Sequence, residues 1–311
     1  MNRRGWTTTE LMVALGIAGL LLSIVLPGVL MARASARRQE CANKLRQIGL
    51  ALTQYEATNK AFPRCAWTFV TLLPYLGEEA LFRHVDFTKD LRGAVANVEY
   101  VPVAKFRCPS DPWDKPPCTN YAICGGSGHA IGGEDGLFRT THRYPNRPLP
   151  SSRAVTVAEV RDGLSHTAAV CEILPGGIPS DKELARLRGT WRTPEFFDLA
   201  GGEIDPFIDR CLGVPDFPGR YGWQTYERGN VWSKNHYGNA RYNHTLTPNL
   251  PSCINNSSIP DGIFTAASLH SGGVNLVMAD GRLTFVSNSV DRAVWRAVST
   301  IAGGEPLSFP Y

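Results

Sequence analysis

His270 and Asp280 are residue types that move protons or hold metals, and nine residues separate them. An imidazole and a carboxylate within hydrogen-bond reach can serve as a general base with its orienting acid, or as two metal ligands. The stretch between them points elsewhere. Apolar runs at Val274 to Ala279 and Arg282 to Ser287 flank Asp280-Gly281. Asp-Gly supplies the positive φ angles of a two-residue type I′ turn, so the segment 270–287 is predicted to form a β-hairpin. His270 then lies at the open end and Asp280 at the turn, up to about 20 Å apart at roughly 3.3 Å per residue. Asp280 and Gly281 are assigned to the turn, Gly272 and Gly273 to close backbone approach at the strand entry, and His270 to a hydrogen bond with a loop.

Other reactive groups give weaker signals. The eight cysteines, Cys41, Cys65, Cys108, Cys118, Cys124, Cys171, Cys211 and Cys253, contain no Cys-x-x-Cys pair, which excludes a zinc ribbon. An even set suits disulfides in an exported domain, and proximity in sequence makes Cys108 with Cys118, or Cys118 with Cys124, the nearest candidates. Glu203, Asp205 and Asp209 could contribute to a calcium site, although their spacing is not that of a twelve-residue EF-hand loop. No nucleophile elbow, Walker loop, dinucleotide fingerprint or zincin motif is present. The glycines between Gly125 and Gly136 lack a following Lys-Ser/Thr. The expectation is a non-enzyme with no cofactor, calcium being the one ion considered.

The positioning elements begin with an apolar run from Leu11 to Leu26, which continues past Pro27 and Gly28 through Ala32. At about 1.5 Å rise per residue these 22 residues span the roughly 30 Å hydrocarbon core. From Arg33 the pattern turns amphipathic, with Ala42, Leu45, Ile48, Gly49, Leu52 and Tyr55 at three- and four-residue steps. One helix of about 50 residues is predicted, ending near Asn59 before Phe62-Pro63. A net charge of +4 over 311 residues leaves no nucleic-acid footprint. Thirty Gly and 22 Pro indicate a loop-rich domain of short strands behind the helix. Strand candidates are Val155 to Val157, Thr167 to Cys171 and Gly262 to Phe264, with Trp67 to Leu76 a further apolar run. Gly176 to Pro260 shows little periodicity and reads as an irregular insertion.

The amino terminus resembles the type IV prepilins and the pseudopilins of type II secretion. Gly5 matches the glycine before the cut, Trp6 stands for the usual phenylalanine as first mature residue, Glu10 matches the acid five places after the cut, and Pro27 falls where pilin helices carry a kinking proline. The resemblance implies that a prepilin peptidase cleaves after Gly5 and methylates the amine of Trp6. That amine, in a neighbouring subunit, is the natural partner for Glu10, because an unpaired carboxylate at the edge of an apolar span is costly. An ordinary solvated helix cap is the alternative for Glu10. Ala34-Ser35-Ala36 also offers a conventional signal peptidase a cut before Arg37. Arg33, Arg37 and Arg38 outnumber Arg3 and Arg4, so charge alone does not set the orientation.

The His-x9-Asp-Gly spacing is similar to that at the carboxyl end of a large bacterial family of prepilin-like proteins, the domain of unknown function 1559 family. Asn43 to Leu52, Leu72 to Leu76, Phe106 to Asp111, Thr119 to Tyr121 and Val160 to Thr167 fit the same family. The departures are Trp6, Arg161 for a common threonine and His166 for a common asparagine. The implied fold is α+β: a long amino-terminal helix packed on an antiparallel β-sheet, pilin-like, with large irregular insertions. Residues 1–5 are the leader, 6–32 the transmembrane and assembly helix, 33–60 its amphipathic continuation and 61–311 the exported globular domain. The implied function is a minor pilin or pseudopilin in a type IV pilus or type II secretion-like assembly. Its partners would be prepilin peptidase, other pilin subunits and the membrane, with no nucleic acid. It would sit in the bacterial inner membrane, amino terminus cytoplasmic, head periplasmic or extracellular. The alternatives are an anchored domain that binds a glycan or peptide through loops bearing Trp223, Tyr226, Trp232 and Tyr237, and an anchored hydrolase.

Overall fold

The computed structural model describes residues 7–89, 91–113, 115, 117–128, 135–139, 153–176, 181–199, 202–213, 228–235, 237–256 and 258–305. Gly5, Trp6, Trp223 and Tyr226 lie outside the described residues.

Helix α1 (Thr8–Asn59) runs unbroken for 52 residues, through Pro27, and closes at Lys60 in the left-handed conformation. Its two halves differ as the sequence requires. From Leu11 to Met31 the large apolar side chains are exposed. Among the described residues it is the one helix long and apolar enough to cross a membrane, and none of its most apolar stretch is buried. A core helix of a soluble protein would be mostly buried, and this exposure is consistent with single-pass membrane anchoring. In the second half Cys41, Leu45, Ile48, Gly49, Ala51 and Leu52 are buried on one face, the three- and four-residue spacing that puts side chains on a single stripe.

Short helices α2 (Thr68–Leu72), α3 (Glu79–Phe82) and α4 (Leu91–Val95) follow. The apolar run from Trp67 to Leu76 is therefore helical. Strand β1 (Tyr121–Cys124) comes next, then β2 (Ala168–Glu172), α5 (Lys182–Arg188), β3 (Thr190–Arg192), α6 (Ile204–Gly213), β4 (Arg241–Tyr242), β5 (Ser252–Asn255), β6 (Ser258–Ile263), β7 (Gly273–Met278), β8 (Leu283–Ser287) and α7 (Arg292–Ala297). Two predicted strands hold, at β2 and in β6. Val157 instead starts a 3-10 turn, with a Thr156–Glu159 capping box.

The main sheet has the order β4-β1-β2-β7-β8. Its pairs are antiparallel except β1 with β4. Residues alternate between its two faces. Tyr121, Ile123, Val170 and Val277 pack with Leu45, Ile48 and Leu52 of α1, whereas Ala122, Cys124, Cys171, Leu276 and Met278 pack with Trp295 of α7. Covering both faces makes every residue of β1, β2 and β7 buried, which is why these strands read as apolar runs.

The stretch 176–260 is not wholly irregular. Within it α5, β3, α6 and β5 are regular, and β3, β5 and β6 form a second sheet. In it β3 and β5 are parallel and β5 and β6 antiparallel. Strands of three to six residues are too short to show a period. The fold is α+β and pilin-like, with mixed rather than purely antiparallel sheets.

Candidate functional site

The motif segments that are far apart in the chain meet at one buried polar junction between α1 and the main sheet. Glu172 ends β2 with its carboxylate buried. Its Oε2 accepts the Asn275 backbone N–H at 2.8 Å, and its Oε1 accepts the Asn275 side-chain amide at 2.9 Å. His270 Nε2 lies 3.1 Å from the same Oε1 and 3.9 Å from Cys108 Sγ. The His270 backbone N–H donates to Ser268 Oγ at 3.1 Å. A buried carboxylate is costly unless its acceptor positions are filled, and three donors converge on this one.

Cys108 leads to the neighbouring cluster. Its N–H donates to Asn120 Oδ1 at 3.0 Å, and Asn120 Nδ2 donates to Asp111 Oδ2 at 2.7 Å. Asp111 is ion-paired with Arg188, both side chains almost fully buried. The guanidinium also donates to the Pro175 carbonyl at 2.5 Å. Tyr121 donates its hydroxyl to the Cys41 carbonyl of α1 at 2.9 Å. Phe106 to Asp111, Thr119 to Tyr121 and His270 thus form one connected network. A cleft of about 10 Å³, lined by Cys108, Ser110, Asp111, Asn120 and Glu172 among others, opens beside it.

The disulfides join Cys41 to Cys108 and Cys211 to Cys253. Both sequence-adjacent pairings are corrected: Cys108 bonds the helix cysteine brought over it by α1, and neither Cys118 nor Cys124 is in a disulfide. Cys118 instead faces the Arg107 guanidinium. Cys124 and Cys171 point into the core beneath α7, where burial pushes the Cys124 thiol up to about 12 and Cys171 well above its usual value. At neutral pH both are protonated, which leaves them poor nucleophiles.

At the hairpin, β7 and β8 pair from Gly273 with Ser287 to Val277 with Leu283. His270 and Asp280 sit at opposite ends of this ladder. The turn differs from the predicted type. Gly281 has φ +83°, but the positive non-glycine φ angles among the described residues fall at Lys60, Asn249 and Asn256, not at Asp280. The Gly281 N–H donates to the Met278 carbonyl at 2.9 Å, and the Met278 N–H to the Arg282 carbonyl at 2.9 Å. This is a four-residue turn, Met278 to Gly281, that ends on a left-handed glycine, which keeps an L-residue out of the strained region. The tip is held by the 160s loop: the Ala279 N–H donates to Thr167 O at 2.7 Å and the Arg282 guanidinium to Ser165 O at 2.8 Å. In that loop His166 contacts its neighbour Ser165 through Nδ1 at 3.2 Å.

At the other end of the molecule, Glu10 closes a capping box on α1. Its Oε2 accepts the Thr7 N–H at 2.8 Å and the Thr7 hydroxyl at 2.9 Å, and the Glu10 N–H donates back to Thr7 Oγ1 at 3.3 Å. The box fills acceptor positions with neutral donors, and among the described residues Glu10 forms no ion pair. Thr7-Thr8-Thr9-Glu10 carries the sequence signature of such a box.

Glu203, Asp205 and Asp209 are exposed at and before α6 and do not form a metal-competent group. Among the described residues Cys41, Cys108 and His270 do. Trp232 and Tyr237, read from sequence as ligand-presenting, are buried. Trp232 donates its indole N–H to Val101 O at 2.8 Å, and Tyr237 stacks on Phe264.

The profile of a family described as "Protein of unknown function (DUF1559)" matches residues 31–293. The chain belongs to this family. No curated protein and no solved structure matches it. The DUF1559 match takes in the junction, both disulfides and the hairpin, and begins after Gly5, Trp6 and Glu10. With its bare apolar helix, this DUF1559 member is a membrane-anchored, pilin-like protein. Sequence reasoning missed Cys41, Glu172, Asn275 and Arg188 at the junction. Asn275 was the available signal, a polar residue inside the apolar run of β7.

Proposed function

We propose that this protein is a minor pilin or pseudopilin, cleaved after Gly5 by a prepilin peptidase and anchored in the inner membrane with its amino terminus cytoplasmic and its head periplasmic or extracellular. The observation that carries the reading is the division of α1: one half docked on the sheet, the other bare and apolar on all sides, long enough to cross a bilayer and to stack with copies of itself. Glu10 at the start of that half supplies a charge that an amino-terminal amine of an adjacent subunit neutralises. The head acts in this reading as a structural or assembly domain and not as an enzyme. In support, His270 is occupied by Glu172, and the sulfur beside it is already in a disulfide. Amino-terminal sequencing of the mature protein tests the processing step: methylated Trp6 is expected, and Arg37 or an intact Met1 would overturn it. Recovery in a sheared filament fraction separates an assembling subunit from an anchored domain that stays single.

A further inference from the structure

We propose that Cys41, Cys108 and His270 form a metal site in the reduced protein, which takes up one zinc-class divalent ion in place of the Cys41–Cys108 disulfide. One ligand atom from each residue lies within 4.8 Å of the other two, and all three residues are buried. In a tetrahedral zinc site with Zn–S of about 2.3 Å and Zn–N of about 2.0 Å, neighbouring ligand atoms stand roughly 3.5 Å apart. Cys108 Sγ and His270 Nε2 are 3.9 Å apart already. The two sulfurs, 2.06 Å apart in the disulfide, must separate, and Cys41 Sγ, within 4.8 Å of the imidazole, must close on the ion, both by side-chain rotation once the bond is open.

The surroundings suit the ion. Two thiolates neutralise a divalent cation, so the added group carries no net charge into a buried place. Thiolate and imidazole select zinc-like ions over calcium or magnesium. Glu172 keeps both hydrogen bonds from Asn275, and its Oε1, beside Nε2, lies next to the ion. The cleft beside Cys108 and Glu172, also lined by Ser110, Asp111 and Asn120 and about 10 Å³ in volume, is close to the size of one water, which would serve as fourth ligand. The Cys211–Cys253 bridge has no such company: among the described residues it belongs to no group of three ligands.

The chemistry balances in two steps. A dithiol reductant gives two electrons and two protons to the disulfide, yielding the Cys41 and Cys108 thiols and the oxidised reductant. The divalent ion then displaces both thiol protons to solvent as the two sulfur–metal bonds form, and the proton that Nε2 shared with Glu172 passes to Nδ1, the other neutral tautomer, which frees the Nε2 lone pair for the third bond. Metal and disulfide are mutually exclusive, and either one ties α1 to the sheet at the same point.

The test uses the full chain in detergent, reduced by a phosphine without oxygen and titrated with Zn²⁺ against a chromophoric chelator. Co²⁺ in a parallel titration reports thiolate ligation by its charge-transfer absorption. Reduced wild type is expected to bind one ion tightly and the oxidised protein none. Cys108→Ser should abolish the tight site. His270→Ala should weaken it by at least the roughly 10- to 100-fold that loss of an outer partner costs, and Cys211→Ser should leave it intact. Should a variant fail to fold, alkylation of the wild type decides: Zn²⁺ should protect Cys41 and Cys108 and not Cys211 or Cys253. Absence of tight binding to reduced wild type, binding unaffected by Cys108→Ser, or equal or no protection of the four cysteines would each overturn the site.

Discussion

Gly49 and Val277 are in such close apposition that a Cβ at Gly49 would stand 2.8 Å from Val277 Cγ1, with the Gly281 carbonyl at 3.2 Å. The glycine that weakens α1 as an isolated helix is what lets the helix lie against β7 and the hairpin turn. Alanine there gains about 1 kcal/mol of helix propensity but overpacks a β-branched, buried neighbour, at a cost of about 1–3 kcal/mol. Gly49→Ala is expected to be neutral to about 2 kcal/mol destabilising, and Gly49→Val clearly worse. Thermal denaturation of both variants checks the order; a stabilised Gly49→Val would refute the tight contact.

Asp111 and Arg188 form a buried ion pair whose loss leaves one charge stranded. Asp111→Ala is expected to cost about 3–5 kcal/mol, whereas Asp111→Leu combined with Arg188→Met should recover much of it. Urea midpoints of the single and double variants measure this, and additive losses would show the pair to be uncoupled.

His244 gives the head a defined acid sensitivity. Its Nε2 is 3.0 Å from the Tyr242 hydroxyl, and its ring stacks on Trp295. Burial lowers its pKa from 6.5 to about 3, partly opposed by the bond to the Trp295 carbonyl. The folded state keeps the ring neutral where the unfolded chain protonates it. The stabilisation is complete above about pH 6.5 and is lost as pH falls toward about 3, with a slope of up to about 1.4 kcal/mol per pH unit. His244→Gln should lower stability at pH 7 and flatten the pH dependence between pH 6 and 4. Parallel slopes for the two proteins would exclude His244 as the source.

The cysteines give a chemical check on the fold. Alkylation before and after reduction, followed by peptide mapping, should find Cys41 with Cys108 and Cys211 with Cys253. Cys65, Cys118, Cys124 and Cys171 should be modified only after unfolding. A Cys108–Cys118 linkage would contradict the docking of α1.

Replacing Glu10 with Val removes a carboxylate from the edge of the apolar span, where its cost is below the roughly 2.5 kcal/mol or more of a helix centre. Membrane content should hold or rise, while incorporation into filaments should fall. Equal incorporation of wild type and Glu10→Val would leave the carboxylate with its capping role alone.

What the sequence made legible were the features with a period or a fixed local chemistry. Leu45, Ile48 and Leu52 marked the docked face of α1, and the runs on either side of Asp280-Gly281 marked β7 and β8. The turn type was less legible, because Asp-Gly serves both a type I′ turn and a turn closed by a left-handed glycine. The junction was illegible for a different reason. Cys41, Cys108, Glu172 and His270 come from four distant segments, and only the packing of α1 on the sheet brings them together. Trp232 and Tyr237 misled because an aromatic residue in an aperiodic stretch looks the same whether it faces solvent or fills a core.

The Cys41–Cys108 bond also determines how load passes through the molecule. A pull along the apolar half of α1 reaches Cys41 first, and there a covalent link diverts the tension into the loop beside β1 and the sheet behind it. The stretch of helix from Ala42 to Asn59 is shielded, so the packing of Leu45, Ile48 and Leu52 need not bear the force. Opening that bond with no ion in its place transfers the whole load to side-chain contacts and lets the helix peel from the head.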